Sequence, residues 1–236
     1  MTDTDPPPHP RLQTVIITGG ASGLGAAVAA EVRAAGGTPV VLDRALPDLA
    51  VDHEVVDLAD AAAAEAAVAR VADRHGGITA VVTAAGTDAC GQLADVPRAA
   101  WEQVIAVNLV GTVAVVRAAL PHLLEAAGSV VTVGSTLGLR ALPDATAYCA
   151  SKFGIVGFTR ALAAELAGRV NVTLLVPGGM HTAFFDERPE QYRPPADAKL
   201  NRPEDVARTV LFALRQPPGC EVRELVVTPS TESSYP

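Results

Sequence analysis

The stretch Thr18-Gly19-Gly20-Ala21-Ser22-Gly23-Leu24-Gly25 decides the reading of this chain. Before it runs Val15-Ile16-Ile17, a β-branched apolar segment typical of a buried strand. After it an Ala- and Val-rich helical pattern continues to Ala35. Glycines permit the tight turn between the two and let bare backbone N–H groups approach a phosphate at the positive end of the helix. A glycine-rich run alone is a weak signal; the strand before it and the helix after it make it a dinucleotide-binding turn. Gly19, Ser22, Gly23, Leu24 and Gly25 are therefore expected to line a pyrophosphate.

Outward from this turn, short β-branched runs alternate with helical stretches, the pattern of βαβ units that build a parallel sheet. The runs are Leu12–Thr18, Thr38–Leu42, Glu54–Val56, Ile78–Thr83, Ser129–Gly134, Val170–Val176 and Glu224–Thr228. Helices are expected over Gly23–Ala35, Asp60–His75, Pro97–Ala127, Ala145–Ala167 and Pro203–Arg215. The fold class is α/β: a doubly wound, seven-stranded parallel sheet with helices on both faces. Near-continuous apolar strands such as Val130-Val131-Thr132-Val133 predict coverage on both sides. Pro-rich Phe184–Leu200 breaks the pattern and reads as an excursion, a short substrate lid over about 183–200.

The 236 residues are 49% hydrophobic and 19% charged, which suits one domain over 11–236 behind a loose polar tail over 1–10. A net charge of -8 without any run of Lys or Arg speaks against nucleic acid or an anionic membrane as partner. The most apolar long stretch, Val104–Leu120, carries Asn108 and Arg117 and reads as too short for a membrane span. Cys90, Cys149 and Cys220 are widely spaced and odd in number, which fits a reducing, cytoplasmic setting. With His9, His53, His75 and His122 they form no ligand spacing, so no metal site is expected.

The second strand ends at Asp43, about 20 residues past the glycine turn, where an acid hydrogen-bonds the adenosine ribose. A carboxylate there repels a 2′-phosphate and favours NAD, with NADP the lesser option. Asp57-Leu58 after the third strand is a weaker signal of the same kind, with a helix cap before Asp60 as the alternative.

Tyr148 and Lys152 lie one turn apart on an expected helix and share a face. A free Tyr titrates near about 10. A neighbouring ammonium is expected to lower that value toward the range useful in acid and base catalysis, while also donating to ribose hydroxyls. Ser135 ends an apolar strand at the carboxyl edge where open α/β sheets bind ligands. Asn108 sits mid-helix among apolar residues, where an amide needs partners; a bound water shared with Lys152 is the expected one.

With these residues in order, the chain resembles the short-chain dehydrogenase/reductase family, of the single-domain Rossmann type, over residues 12–228. The resemblance implies an oxidoreductase in which Tyr148 is the general acid/base, Ser135 positions the carbonyl or alcohol, Lys152 binds the nicotinamide ribose and Asn108 anchors a proton-relay water. It implies that Pro177, Gly178, Met180 and Thr182 receive the nicotinamide carboxamide, and that Ala84, Ala85 and Gly86 line the cofactor in Thr83-Ala84-Ala85-Gly86, where relatives begin with Asn. A homotetramer or homodimer through the long helices is also implied. His181 reads as a loop residue and Cys149 as a small packing residue.

The expected reaction interconverts a secondary alcohol and a ketone. The alternatives are an NADP-linked 3-ketoacyl-type reductase and a non-catalytic nicotinamide-sensing regulator. The segments Leu137–Pro143, Cys90–Leu93 and Thr182–Leu200 mix apolar residues with Arg140, Arg188 and Arg193 and are expected around a small-molecule substrate.

Overall fold

Alternate side chains of the central strands enter two apolar cores on opposite sides of one sheet. Ile16, Val40, Leu42 and Val81 point into one; Val15, Ile17, Val41 and Val82 point into the other. The molecule is described from a computed structural model that covers residues 12–186, 188–217 and 219–232; the expected tail over 1–10 lies outside the described residues.

The strands are β1 (Val15–Thr18), β2 (Pro39–Asp43), β3 (Asp52–Val55), β4 (Ala80–Thr83), β5 (Ser129–Val133), β6 (Asn171–Pro177) and β7 (Glu224–Val227). They form the expected seven-stranded parallel sheet, in the order β3-β2-β1-β4-β5-β6-β7. Strand order reverses between β1 and β4, which makes the crevice beyond their carboxyl ends the ligand position for this topology. Register aligns those ends: Thr18 lies opposite both Leu42 and Thr83, and Thr83 lies opposite Thr132.

Helices α1 (Gly23–Ala34) and α6 (Pro203–Leu214) cover one face. Helices α2 (Ala61–His75), α4 (Thr112–Glu125) and α5 (Thr146–Glu165) cover the other. Coverage on both sides holds for β1, β2, β4, β5 and β6 but not for the two edges. There, β3 and β7 alternate exposed and half-buried positions, because each lacks a neighbour on one side and lies beyond the centre of the helix layers.

The expected single helix over Pro97–Ala127 is interrupted. Helix α3 (Arg98–Ile105) passes through a π-helical stretch, Ala106–Gly111, before α4 begins. The helical run Arg98–Glu125 is long and apolar enough to cross a membrane by length and hydropathy alone, so the expectation that this region falls short is corrected. Its inward residues Val104, Ala114, Val115, Val116, Ala119 and Leu123 are buried within the protein, which accounts for that hydropathy.

Between β6 and α6 the chain leaves the sheet at Met180 and rejoins it at Asn201. A parallel bridge pairs these residues, and the Asn201 side chain donates to the Val227 carbonyl. Among its described residues the excursion contains two short 3₁₀ turns, Ala183–Phe185 and Glu190–Tyr192.

Candidate active site

The glycine turn is shaped by close packing. Gly19 has φ +70°, and a Cβ there would lie 2.6 Å from the Ala85 Cα, so the turn lies directly on Ala84-Ala85. Thr18 Oγ1 accepts from the Ala85 N–H, tying the end of β1 to the segment after β4. A side chain at Gly25 would collide with the Gly19 carbonyl oxygen. Ser22 occupies the N-cap of α1 without a side-chain capping bond, and no acid lies in the first turn. That helix end therefore keeps backbone donors and a partial positive charge for an anion, and it fits the pyrophosphate of a dinucleotide.

Asp43 sits at the end of β2 with one carboxylate oxygen accepting from the Ala21 N–H at 3.0 Å and the other from the Ala45 N–H at 3.0 Å. Its negative charge is thereby held against the glycine turn. Asp57 is exposed and accepts from the Ala59 N–H, whereas the cap of α2 is Asp60, which accepts from Ala63. The Leu58 side chain lies in the core, and Gly111 packs on its carbonyl.

The four polar residues singled out in sequence converge beyond β4 and β5. Ser135 follows β5 and, in capping a 3₁₀ turn, accepts from the Leu137 N–H at 3.1 Å. Tyr148 and Lys152 project from the first turns of α5. Tyr148 hydrogen-bonds with Ser135, and the Lys152 Nζ lies 5.6 Å from the Tyr148 ring centre. Lys152 is buried and donates to the Val133 carbonyl at 2.9 Å. Asn108 lies in the π-helical stretch, and its Oδ1 and the Lys152 Nζ flank Gly86, whose ideal Cβ position is 3.6 Å from the first and 3.9 Å from the second.

Two sequence expectations change. The Asn108 amide is satisfied by protein groups: Nδ2 donates to the Thr87 carbonyl and to Ser151 Oγ, and Oδ1 accepts from the Thr87 N–H. No water is needed to account for its burial. The depression expected for Tyr148 is reversed: burial pushes its hydroxyl up to about 12, against the lowering effect of the Ser135 hydrogen bond. The side chain keeps some exposure while its hydroxyl end is enclosed. Burial also brings the Lys152 ammonium down to about 8, opposed by the nearby Asp88 carboxylate.

Thr182 caps the 3₁₀ turn Ala183–Phe185 and touches the glycine turn, its Cγ2 lying 3.2 Å from where a Gly23 Cβ would be. Pro177, Gly178 and Met180 lie along the same edge, where the Gly178 N–H donates to the Val227 carbonyl. His181 is exposed and Cys149 is buried beside Tyr148. The Thr83 hydroxyl is buried with no hydrogen-bond partner among the described residues.

Sequence reasoning did not single out Asp88, Ser151 or Thr87. Asp88, half-buried just after the Gly86 segment with its side chain nearly enclosed, pairs with Arg188 of the excursion at 2.6 Å. No local pattern marks such a pair, since its members lie far apart in the chain.

The family model for short chain dehydrogenases matches residues 13–193. The chain is 34% identical to 2-(S)-hydroxypropyl-CoM dehydrogenase 3 of Xanthobacter autotrophicus over 227 residues, covering 86% of this chain and 89% of that protein. It is 32% identical to a 3-oxoacyl-[acyl-carrier-protein] reductase of Thermotoga maritima, covering 84% and 88%. Among solved structures, ligand-free aldohexose dehydrogenase of Thermoplasma acidophilum superposes with a TM-score of 0.84 at 22% identity, covering 93% of each chain. An alcohol dehydrogenase of Thermococcus sibiricus complexed with 5-hydroxy-NADP does so with a TM-score of 0.82 at 23% identity, covering 91% of this chain and 95% of that one. The protein belongs to the short-chain dehydrogenase/reductase family, NAD(P)-binding oxidoreductases of Rossmann type acting on small molecules.

Proposed function

We propose that this protein interconverts a secondary alcohol and a ketone with NAD as hydride carrier, Tyr148 exchanging the proton on oxygen. The observation that carries this reading is the Tyr148 hydroxyl paired with Ser135 above the end of β5, with the Lys152 ammonium within 5.6 Å of the tyrosine ring. Bound NAD supplies the hydride acceptor, and NADH the donor, at C4 of the nicotinamide. Gly19, Ser22, Gly23, Leu24 and Gly25 hold the pyrophosphate, and Asp43 the adenosine ribose. Asp57, Leu58 and Ala84-Ala85-Gly86 complete that side. Pro177, Gly178, Met180 and Thr182 hold the carboxamide, and Lys152 the other ribose.

Ser135 holds the substrate oxygen. With its hydroxyl near 12, Tyr148 is a phenol at neutral pH, so the resting centre is set to donate a proton to a ketone oxygen. For alcohol oxidation the same phenol must first lose its proton, and the Lys152 charge favours the phenolate at that moment. A Tyr148→Phe variant should bind NADH but lose turnover by about three orders of magnitude, read by NADH absorbance and by fluorescence titration. Turnover that survives the change on every responsive alcohol would overturn the proton role.

A second reading, an NADP-linked 3-ketoacyl-type reductase, draws on the Thermotoga maritima relative. The Asp43 carboxylate on the glycine turn and the neutral Ser22 oppose it. NAD is expected to bind about tenfold tighter than NADP, and Asp43→Asn should narrow the gap; tighter NADP binding by the native protein would favour the second reading. A nicotinamide-sensing regulator is disfavoured because Asn108, Ser135, Tyr148 and Lys152 are all in place. The proposed setting is cytoplasmic, supported by three free cysteines, and the proposed assembly is a homotetramer.

A further inference from the structure

Gly178 and Gly179 follow directly on Pro177, the last residue of β6. Backbone without side chains loses the most freedom on ordering, so such a pair keeps one conformation only where its polar groups are held. Here they are held from two sides. The Gly178 N–H donates to the Val227 carbonyl at the end of β7, and the Gly179 carbonyl accepts from the Asn201 N–H at 2.9 Å. The Gly179 N–H donates to a side chain that the sequence gave no reason to single out: Glu232 Oε2, at 3.2 Å.

Glu232 reaches this point because the chain turns back after β7. Its N–H donates to the Pro229 carbonyl at 3.0 Å, and the turn brings the carboxylate onto the two glycines. The fit leaves no room for a side chain on either. A Cβ on Gly178 would lie 2.5 Å from Glu232 Oε2, 3.0 Å from Pro229 Cδ and 3.2 Å from Thr228 Cγ2, and one on Gly179 would lie 2.7 Å from Leu200 Cδ2. A carboxylate that accepts from a backbone N–H makes a charge-assisted bond, stronger than one between neutral groups. Beyond Gly179, Met180 is bridged to Asn201, and Thr182 comes against the glycine turn at Gly23. Only three residues of backbone connect Gly179 to Thr182, so the place of one depends on how the other is held.

We infer that Glu232 is a positioning residue for the nicotinamide end of the cofactor: its carboxylate holds the Gly179 N–H and thereby sets the Pro177–Thr182 segment that receives the carboxamide. This rests on the assignment of that segment given above and adds the group that orders it. Glu232 acts through backbone and does not touch the cofactor. Its contribution therefore belongs to the nicotinamide half of the dinucleotide and not to the pyrophosphate or the adenosine, which lie on the glycine turn and Asp43.

The test compares NADH with ADP-ribose, which keeps the adenosine, the pyrophosphate and a ribose but lacks the nicotinamide, by titration calorimetry on the full chain. Native protein should bind NADH more tightly than ADP-ribose. Glu232→Ala should weaken NADH by about fivefold and leave ADP-ribose within about twofold of native, as expected for the loss of one hydrogen bond that orders only the nicotinamide side. Glu232→Gln, whose amide oxygen can still accept from the Gly179 N–H, should recover most of the NADH affinity. A Glu232→Ala protein that weakens both ligands by the same factor, or a Glu232→Gln protein no better than the alanine variant, would show that Glu232 only stabilises the fold there and would overturn the inference. The two readings fail differently. If native protein prefers NADH and Glu232→Ala keeps that preference, the carboxamide assignment stands and the role of Glu232 falls; if native protein binds NADH and ADP-ribose alike, the assignment itself falls and takes the inference with it.

Discussion

The chemistry at single residues is set by burial as much as by neighbours. Lys152 is enclosed with one carbonyl acceptor, and its ammonium falls from 10.5 to about 8 because the charged form loses water. Between those values the unfolded chain binds the extra proton, so the folded state gains stability as pH rises through that window, while below about 8 the penalty is fully present. Tyr148 works in the opposite sense: its raised value makes the folded state lose stability between about 10 and 12, where the unfolded tyrosine ionises. In urea titrations, native protein should therefore gain about 2 kcal/mol relative to a Lys152→Met variant between neutral pH and about pH 9.5. A constant difference between the two proteins over that range would contradict the shifted lysine. The Tyr and Lys spacing was readable in the sequence, but the direction of the tyrosine shift was not, because spacing along a helix reports which groups are neighbours and not how much water they keep.

At the scale of elements, the π-helical stretch Ala106–Gly111 is the departure with most consequence. It places Asn108 so that one amide makes three hydrogen bonds, joining the segment after β4 to α5 through Thr87 and Ser151. Such irregular turns are frequent at functional sites. Asn108→Ala leaves the Thr87 backbone without its partners and should lower stability by about 2 kcal/mol in chemical denaturation, with a loss of cofactor affinity as the Gly86 segment loosens. A change under about 0.5 kcal/mol would show that the amide does not hold this segment. The strands and most helices were legible, because apolar runs and helical periodicity are local. The π insertion was not, since its reason lies in contacts with residues far along the chain.

For the whole molecule, the sheet order gathers residues from the ends of six strands, β1 to β6, at one edge, and the outer helical surface stays unexplained by the single chain. Val110 and Phe153, from the π stretch and α5, are exposed, as are Phe212 and Val226 from α6 and β7. These two apolar regions support the proposed homotetramer. Light scattering should give four times the 24.2 kDa of one chain, and Phe153→Glu should reduce the assembly; a monomer at micromolar concentration would refute it. The sequence by itself determined the fold class, the glycine turn, the Asp43 position and the identities of Asn108, Ser135, Tyr148 and Lys152, because each is announced by local pattern or by order along the chain. The tertiary structure alone decided that Asn108 is satisfied by Thr87 and Ser151, that burial governs both Tyr148 and Lys152, and that Asp88 meets Arg188. These depend on which distant segments exclude water from one another, a quantity fixed only when the sheet and its helices are assembled.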